Sequence, residues 1–347
     1  MSVKIIIKLL LLILVVSLSS CFSKEKQVLN LDEFSINNVD LSLMELDSPP
    51  LFPKGCVCID STLIIYDAKE KEGFLSFYRG NRKVGCFGNR GEGPNDFRIP
   101  RFFPNKKYSN SILVGDTDKL YIIDIDSAMA NVPLSSFPFE AIPENLRLYN
   151  YLLCVTDSML VVNQTGEFQL AFYDKIKDNV ERKNYFEKIS SLYSAPNLCY
   201  TMQIYDAYYT SNNESLVIAY KHRKQIDIIS KSGDLVKQIY FPNYDMNNSK
   251  MSFNGNLIIE EDSKRFFTYV YPDEDSFYAL CWNDTKENIK YGKAKPLIYK
   301  FDWEGNLNQI YQLNQCISYF CVSDNQLYAI GIREDDLELC LFEGKLM

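Results

Sequence analysis

The strongest constraint on this chain is a pattern that returns six times. An apolar run ends in a turn led by Asp, Asn or Ser; a second strand-like run follows, then a short loop, then a third run. The second and third runs read TLIIYDAKEKEGFLSFYRGN (62–81), SILVGDTDKLYIIDIDS (111–127) and MLVVNQTGEFQLAFYDK (159–175). They continue as SLVIAYKHRKQIDIISKSG (215–233), SFYALCWND (276–284) with PLIYKFDWEG (296–305), and QLYAIGIREDDLELCLFEG (326–344). The turns ahead of them hold residues such as Asp60-Ser61, Asn212-Asn213 and Asp324-Asn325, whose side chains cap their own turn backbones. A fourth strand is legible at 83–87, 235–241 and 307–313. A period of roughly 40–70 residues, with four strands per copy, is that of β-propeller blades.

Six copies predict an all-β fold: one six-bladed β-propeller of four-stranded antiparallel blades over residues 38–347. Polar inserts at 175–198, 242–263 and 283–295 account for the longer intervals. The spacing of Ile176, Val180, Phe186 and Ile189 predicts a short helix in the first insert. The last copy lacks a fourth strand, and residues 39–46 (VDLSLMEL) alternate as a strand does. An N-terminal strand is therefore expected to complete the last blade and close the ring, which removes exposed sheet edges.

The 24 Tyr and 22 Phe against 2 Trp lean towards strands. A net charge of −8 argues against a nucleic-acid partner, which selects a basic face. The chain has one His and no Cys-x-x-Cys pair, which disfavours a structural zinc site. The cysteines after Cys21 mostly lie in apolar runs and read as small buried hydrophobes.

At the N-terminus, Lys4 and Lys8 flank a basic start, and the apolar run 9–18 follows. It is about half the roughly 20 residues that span a bilayer, so it reads as a signal peptide. Leu18-Ser19-Ser20-Cys21 is similar to the bacterial lipobox. Residues 1–21 are thus expected to be a lipoprotein signal ending at a lipidated Cys21, and the polar residues 22–37 a tether. The expected location is the cell envelope, lipid-anchored on the periplasmic side or at the outer-membrane surface.

Residues 82–100 (RKVGCFGNRGEGPNDFRIP) concentrate four of the 15 glycines, at Gly85, Gly88, Gly91 and Gly93. No Lys-Ser/Thr follows them and no helix begins there, so this is not a phosphate loop. It reads as the step from the outer strand of blade 1 to the inner strand of blade 2. Phe97 is the expected wedge between blades, and Pro100 the start of an inner strand. Positive φ is expected at Gly91 or Gly93. Phe87-Gly88, Gly91, Gly93, Phe97 and Pro100 resemble the connector phrase of NHL-type blades, and GNRGEGPNDF is similar to the phrase of the TolB-like six-bladed propeller lipoproteins of Bacteroides-type bacteria. That resemblance implies fold and location; the family carries no agreed activity.

Candidate ligand contacts are the connector charges Arg90, Glu92, Arg98 and Arg101, on a propeller face, and the tyrosines Tyr208 and Tyr269. The tyrosines stand with Tyr205, Tyr209, Phe266, Phe267 and Tyr271 in inferred inner strands, where a phenol offers flat apolar area and a hydroxyl. No G-x-S-x-G is present, and His222 reads as a surface-loop residue in the Lys221–Lys224 run. No catalytic residue, metal ligand or cofactor is expected. The acidic clusters at Asp116, Asp118, Asp124, Asp126, Asp273, Glu274 and Asp275 leave a channel calcium as the alternative, although none has the D-x-[DN]-x-[DN]-G arrangement. The expectation is a monomeric, membrane-tethered binding or scaffold module for a protein, peptide or glycan. An envelope hydrolase or lactonase with a divalent metal is the alternative.

Overall fold

The computed structural model describes residues 25–103, 110–147, 152–155, 158–163, 169–185, 207–242, 251–253, 257–259 and 262–347. Six small sheets form a ring, each built outward from an inner strand. Blade 1 runs Pro53–Ile59, Thr62–Asp67, Glu72–Arg79 and Arg82–Arg90; blade 2 runs Arg101–Phe103, Ser111–Gly115, Lys119–Asp124 and Phe139–Ala141. Blade 3 follows with Leu152–Val155, Met159–Asn163, Leu170–Asp174 and Asn179–Lys183, and blade 4 with Ala207–Ser211, Ser215–Tyr220, Gln225–Ser230 and Leu235–Tyr240. Blade 5 holds Lys264–Pro272, Ser276–Thr285, Leu297–Asp302 and Leu307–Leu313; blade 6 holds Cys316–Ser323, Gln326–Ile332 and Leu339–Lys345. The six-bladed propeller expected from the repeat is what the chain forms.

Local chemistry explains the tight turns. Ile59 pairs with Thr62 and Ser323 with Gln326, leaving two-residue loops. Their residues take left-handed backbone: φ is 45° and 61° at Asp60 and Ser61, and 49° and 61° at Asp324 and Asn325. Two-residue hairpins of this type match strand twist and favour Asn and Asp. The core lies between blades. Leu113 and Leu120 of blade 2 meet Leu160, Val162 and Ala171 of blade 3, and Val217 and Ile228 of blade 4 meet Phe267 and Phe277 of blade 5.

The N-terminal segment departs from expectation in an informative way. Its described part is no tether: Glu25–Val28 adds a parallel strand to the outer edge of blade 4, and Ile36–Val39 does the same on blade 5. Ser42–Leu43 then pairs antiparallel with Leu339–Lys345 and supplies the missing strand of blade 6. Closure by an N-terminal strand therefore occurs, through two residues instead of the eight of 39–46. Polar composition misled here because an outermost strand buries little: Leu29, Val39, Leu41 and Met44 are buried while most of their neighbours are exposed. Pairing of backbone, which any non-proline residue supplies, holds the segment.

The helix predicted within 173–193 is absent from the described part of that insert. Asn179–Lys183 is instead the fourth strand of blade 3, with Asp174 opposite Asn179. The Asp174 carboxylate accepts from the Ile176 and Lys177 amides and closes the turn. Ile176 and Val180 thus sit on a hairpin, and their helical spacing is coincidental. The remaining residues of the insert lie outside the described residues.

Blades 1 and 2 share a device for seating the inner strand. Asp67, opposite Pro53, accepts from the amides of Leu51 (2.6 Å) and Phe52 (2.9 Å) and from those of Lys69 and Glu70. Asp116, beside the start of the blade 2 inner strand, accepts from Arg98 (3.1 Å) and Ile99 (2.7 Å). In each blade a carboxylate at the end of the second strand catches the two amides that precede the proline. Burial alone would raise the Asp67 carboxyl, but the four amides outweigh it and hold the group below the ordinary carboxylate range. A carboxyl depressed on folding contributes stability that is complete above its unfolded value near pH 4 and is lost as pH falls through the folded value. Asp67→Asn should therefore lower the urea midpoint at neutral pH, and the gap from wild type should shrink below about pH 4. A gap independent of pH would show that the charge contributes nothing.

Candidate functional site

The connector after blade 1 folds as a compact loop. Arg90 donates its amide to the Lys71 carbonyl, Gly91 to the Phe97 carbonyl and Asp96 to the Gly93 carbonyl. Positive φ falls on Gly88 (86°), not on Gly91 or Gly93. Those two are glycine for another reason: a Cβ on either would stand 2.5 or 2.6 Å from Asp96 Oδ2, the atom that accepts from the Gly93 amide. Phe97 is fully buried and meets Phe74 and Phe87 of blade 1 and Tyr121 of blade 2 edge-to-face, at centroid distances of 5.1, 6.5 and 5.3 Å.

The four connector charges separate into different environments. Arg90 is held in the framework. Its Nε donates to the Glu70 carbonyl (2.9 Å), its Nη2 donates to the Tyr66 hydroxyl (3.1 Å) and the Asp67 carbonyl (3.2 Å), and its guanidinium lies over the Phe74 ring. Tyr66 in turn donates to the Pro100 carbonyl and stacks on Phe102, so Arg90 ties blade 1 to blade 2. Glu92 and Arg98 are exposed and face each other at 3.4 Å, a pair of little energetic weight in water. Arg101 is half-buried at the head of the blade 2 inner strand. Among the described acidic residues, Asp116 seats a strand and Asp124 caps the helix Ile125–Met129 through Ser127. The described residues contain no group of three His, Cys, Asp or Glu side chains placed to hold a metal ion.

A second constellation lies on the inner strands of blades 4, 5, 6 and 1, which pack side by side. Tyr208 stands on blade 4, Tyr269 on blade 5 and Tyr319 on blade 6. Tyr269 packs edge-on to Tyr319 (5.4 Å) and to Phe320 (5.5 Å). Lysines bracket the row. Lys221 Nζ lies 6.0 Å from the centroid of Tyr208; Lys54 Nζ lies 5.9 Å from that of Tyr319 and 4.6 Å from that of Phe52. Of the inner-strand aromatics, Phe266, Phe267, Tyr269 and Tyr271 are buried, and Tyr208 and Tyr209 half-buried. Blade-on-blade packing takes their rings. Tyr205 lies outside the described residues.

The Tyr269 hydroxyl is buried and has no hydrogen-bond partner among the described residues. Burial pushes its phenol well above the ordinary value, and Cys56, Cys321 and Tyr319 push the same way. It is a neutral hydroxyl, able to donate and to accept. His222 corrects another expectation, since it is buried and not a surface residue. The loop that carries it is pinned under blade 5 by the Phe266 amide on the Lys221 carbonyl (2.7 Å). Burial first, then Lys221 and Arg265, lower its pKa to about 4, so the imidazole is neutral at physiological pH.

Sequence reading missed Lys54, Tyr319 and Lys221. Lys54 had a signal: it follows Pro53 as Arg101 follows Pro100, each at the head of an inner strand whose neighbour ends in a clamping Asp. Tyr319 and Lys221 had none, because their relation to Tyr269 and Tyr208 depends on how separate blades abut.

The fold and the connector meet in a single family. The TolB-like six-blade propeller model matches residues 52–325. The chain belongs to the TolB-like propeller family. Several solved structures are similar to it at low identity. A DUF4221 family member from Bacteroides vulgatus is 11% identical with a TM-score of 0.53, covering 89% of this chain and 98% of that one. A protein of Bacteroides fragilis described as exported is 14% identical with a TM-score of 0.49, covering 93% and 99%. A streptogramin B lyase is 11% identical with a TM-score of 0.45, covering 88% and 97%. No curated protein matches this TolB-like chain in sequence.

Proposed function

We propose that this TolB-like propeller is an envelope lipoprotein, anchored through Cys21, that binds a glycan, peptide or protein segment along its inner strands. The observation that supports the reading is a row of tyrosines on adjoining inner strands, of which Tyr208 and Tyr319 are only half-buried, flanked by Lys54 and Lys221. Tyrosine faces add apolar area for a sugar ring or a peptide side chain. Lys54 and Lys221 would direct polar or anionic groups to the two ends. The half-buried Arg101 and the exposed Glu92 and Arg98 belong to the connector side of the ring and would widen the surface for a larger partner.

The test presents immobilised neutral and acidic oligosaccharides and a peptide panel to the mature protein and to Tyr208→Ala, Tyr319→Ala and Lys54→Ala. One ligand class should be retained by the wild type and lost by about ten-fold or more in the variants, a typical hot-spot effect, with thermal unfolding unchanged. Equal retention by all four proteins would remove the tyrosine row from the site. A stoichiometric divalent ion in the purified protein, with hydrolytic activity that chelation abolishes, would replace the binding reading with an enzymatic one.

A further inference from the structure

The N-terminal segment does more than close the ring. Between residues 25 and 43 it follows the outer edges of blades 4, 5 and 6 in turn, like a belt. Glu25 is opposite Lys237 in register and reaches its ammonium at 3.6 Å; the Leu29 amide then continues the ladder to the Tyr240 carbonyl at 2.9 Å. Farther on, the Leu41 amide donates to Asn314 Oδ1 at 2.9 Å. Only Phe22, Ser23 and Lys24 separate Cys21 from the first belt residue. Four fully extended residue steps span at most about 14 Å.

We infer that the outer rim of blades 4 and 5 lies against a lipid surface, the propeller being held edge-on to the membrane by its belt. The inference rests on the reading of Cys21 as the lipidated residue. With so short a link, acyl chains on Cys21 keep Glu25, at the outer edge of blade 4, within about 14 Å of the lipidated residue, and tethering of that kind turns weak contacts into effective ones. The rim has the chemistry for it. Val28 is 70% exposed and Val236 36% exposed on the two outermost strands of blade 4, and Ile36 is 55% exposed on that of blade 5. Exposed aliphatic side chains on the last strand of an edge otherwise favour strand-on-strand aggregation; a bilayer alongside would cover them. The inner-strand tyrosines would remain open to ligand, since the belt touches only the outer edges.

The test uses the full chain, processed in a bacterial host, extracted and reconstituted in vesicles of phosphatidylcholine with and without brominated acyl chains. Tryptophan is placed at Val28→Trp and Ile36→Trp on the belt, and at Leu51→Trp on the exposed connector between blades 6 and 1, with the parent protein as baseline. Brominated lipid should quench the added emission at 28 and 36 and spare that at 51. Equal quenching at all three sites, or none at 28 and 36, in protein whose mass shows acylation at Cys21 would overturn the edge-on arrangement alone. Protein without acyl mass at Cys21, or retention of Cys21→Ala in the membrane fraction, would overturn the anchor reading and this inference with it.

Discussion

A chain that begins at residue 44 should fail to accumulate as a soluble propeller. Losing residues 25–43 strips the outermost strand from three blades and bares the edges of Leu235–Tyr240, Leu307–Leu313 and Leu339–Lys345. It also removes the buried side chains of Leu29, Val39 and Leu41, each worth about 1.5–3 kcal/mol. Leu41 and the Asp40 carbonyl lie so close to Gly344 that a Cβ there would stand 2.8 Å from the leucine and 3.0 Å from the oxygen. That closeness marks a packed seam and not a loose overlay. Because whole domains are stable by only about 5–15 kcal/mol, the loss is comparable with the total, and the bared edges invite aggregation. Soluble yield and urea unfolding of the truncated chain are the measurements. A yield and midpoint equal to wild type would show that the belt contributes nothing to stability.

Phe97→Ala should cost about 3–5 kcal/mol, the range for emptying a fully buried phenylalanine site. The ring touches aromatic side chains from both neighbouring blades, and neither blade can close over the space without moving the other. Phe97→Leu, which keeps most of the volume, should cost much less. The pair is read by urea denaturation. Equal effects of Ala and Leu would mean that the site tolerates any smaller side chain and that the wedge is not what joins blade 1 to blade 2.

Particular residues show where sequence was sufficient. Asp60-Ser61 and Asp324-Asn325 announce their turns because left-handed backbone is a local property of those residue types. Pro100 and Phe97 are legible because the repeat places them. Local sequence is insufficient where two non-adjacent parts must be known together. His222 looked exposed from its basic neighbours, yet it is blade 5 that covers it. Ile176 and Val180 matched a helix by spacing, while pairing with Leu170–Asp174 made a hairpin. Gly91 and Gly93 answered to the Asp96 carboxylate and not to their own φ.

The sequence by itself determined the number of blades, the second and third strands of each and the Gly88–Pro100 step between the first two, because alternation, turn residues and repeat period act within a few residues of one another. Only the tertiary structure decided which polar segment becomes a belt, which tyrosines share a row and where the lysines stand beside them. Those outcomes depend on blades meeting around a ring, where contacts between residues hundreds of positions apart outweigh any local preference.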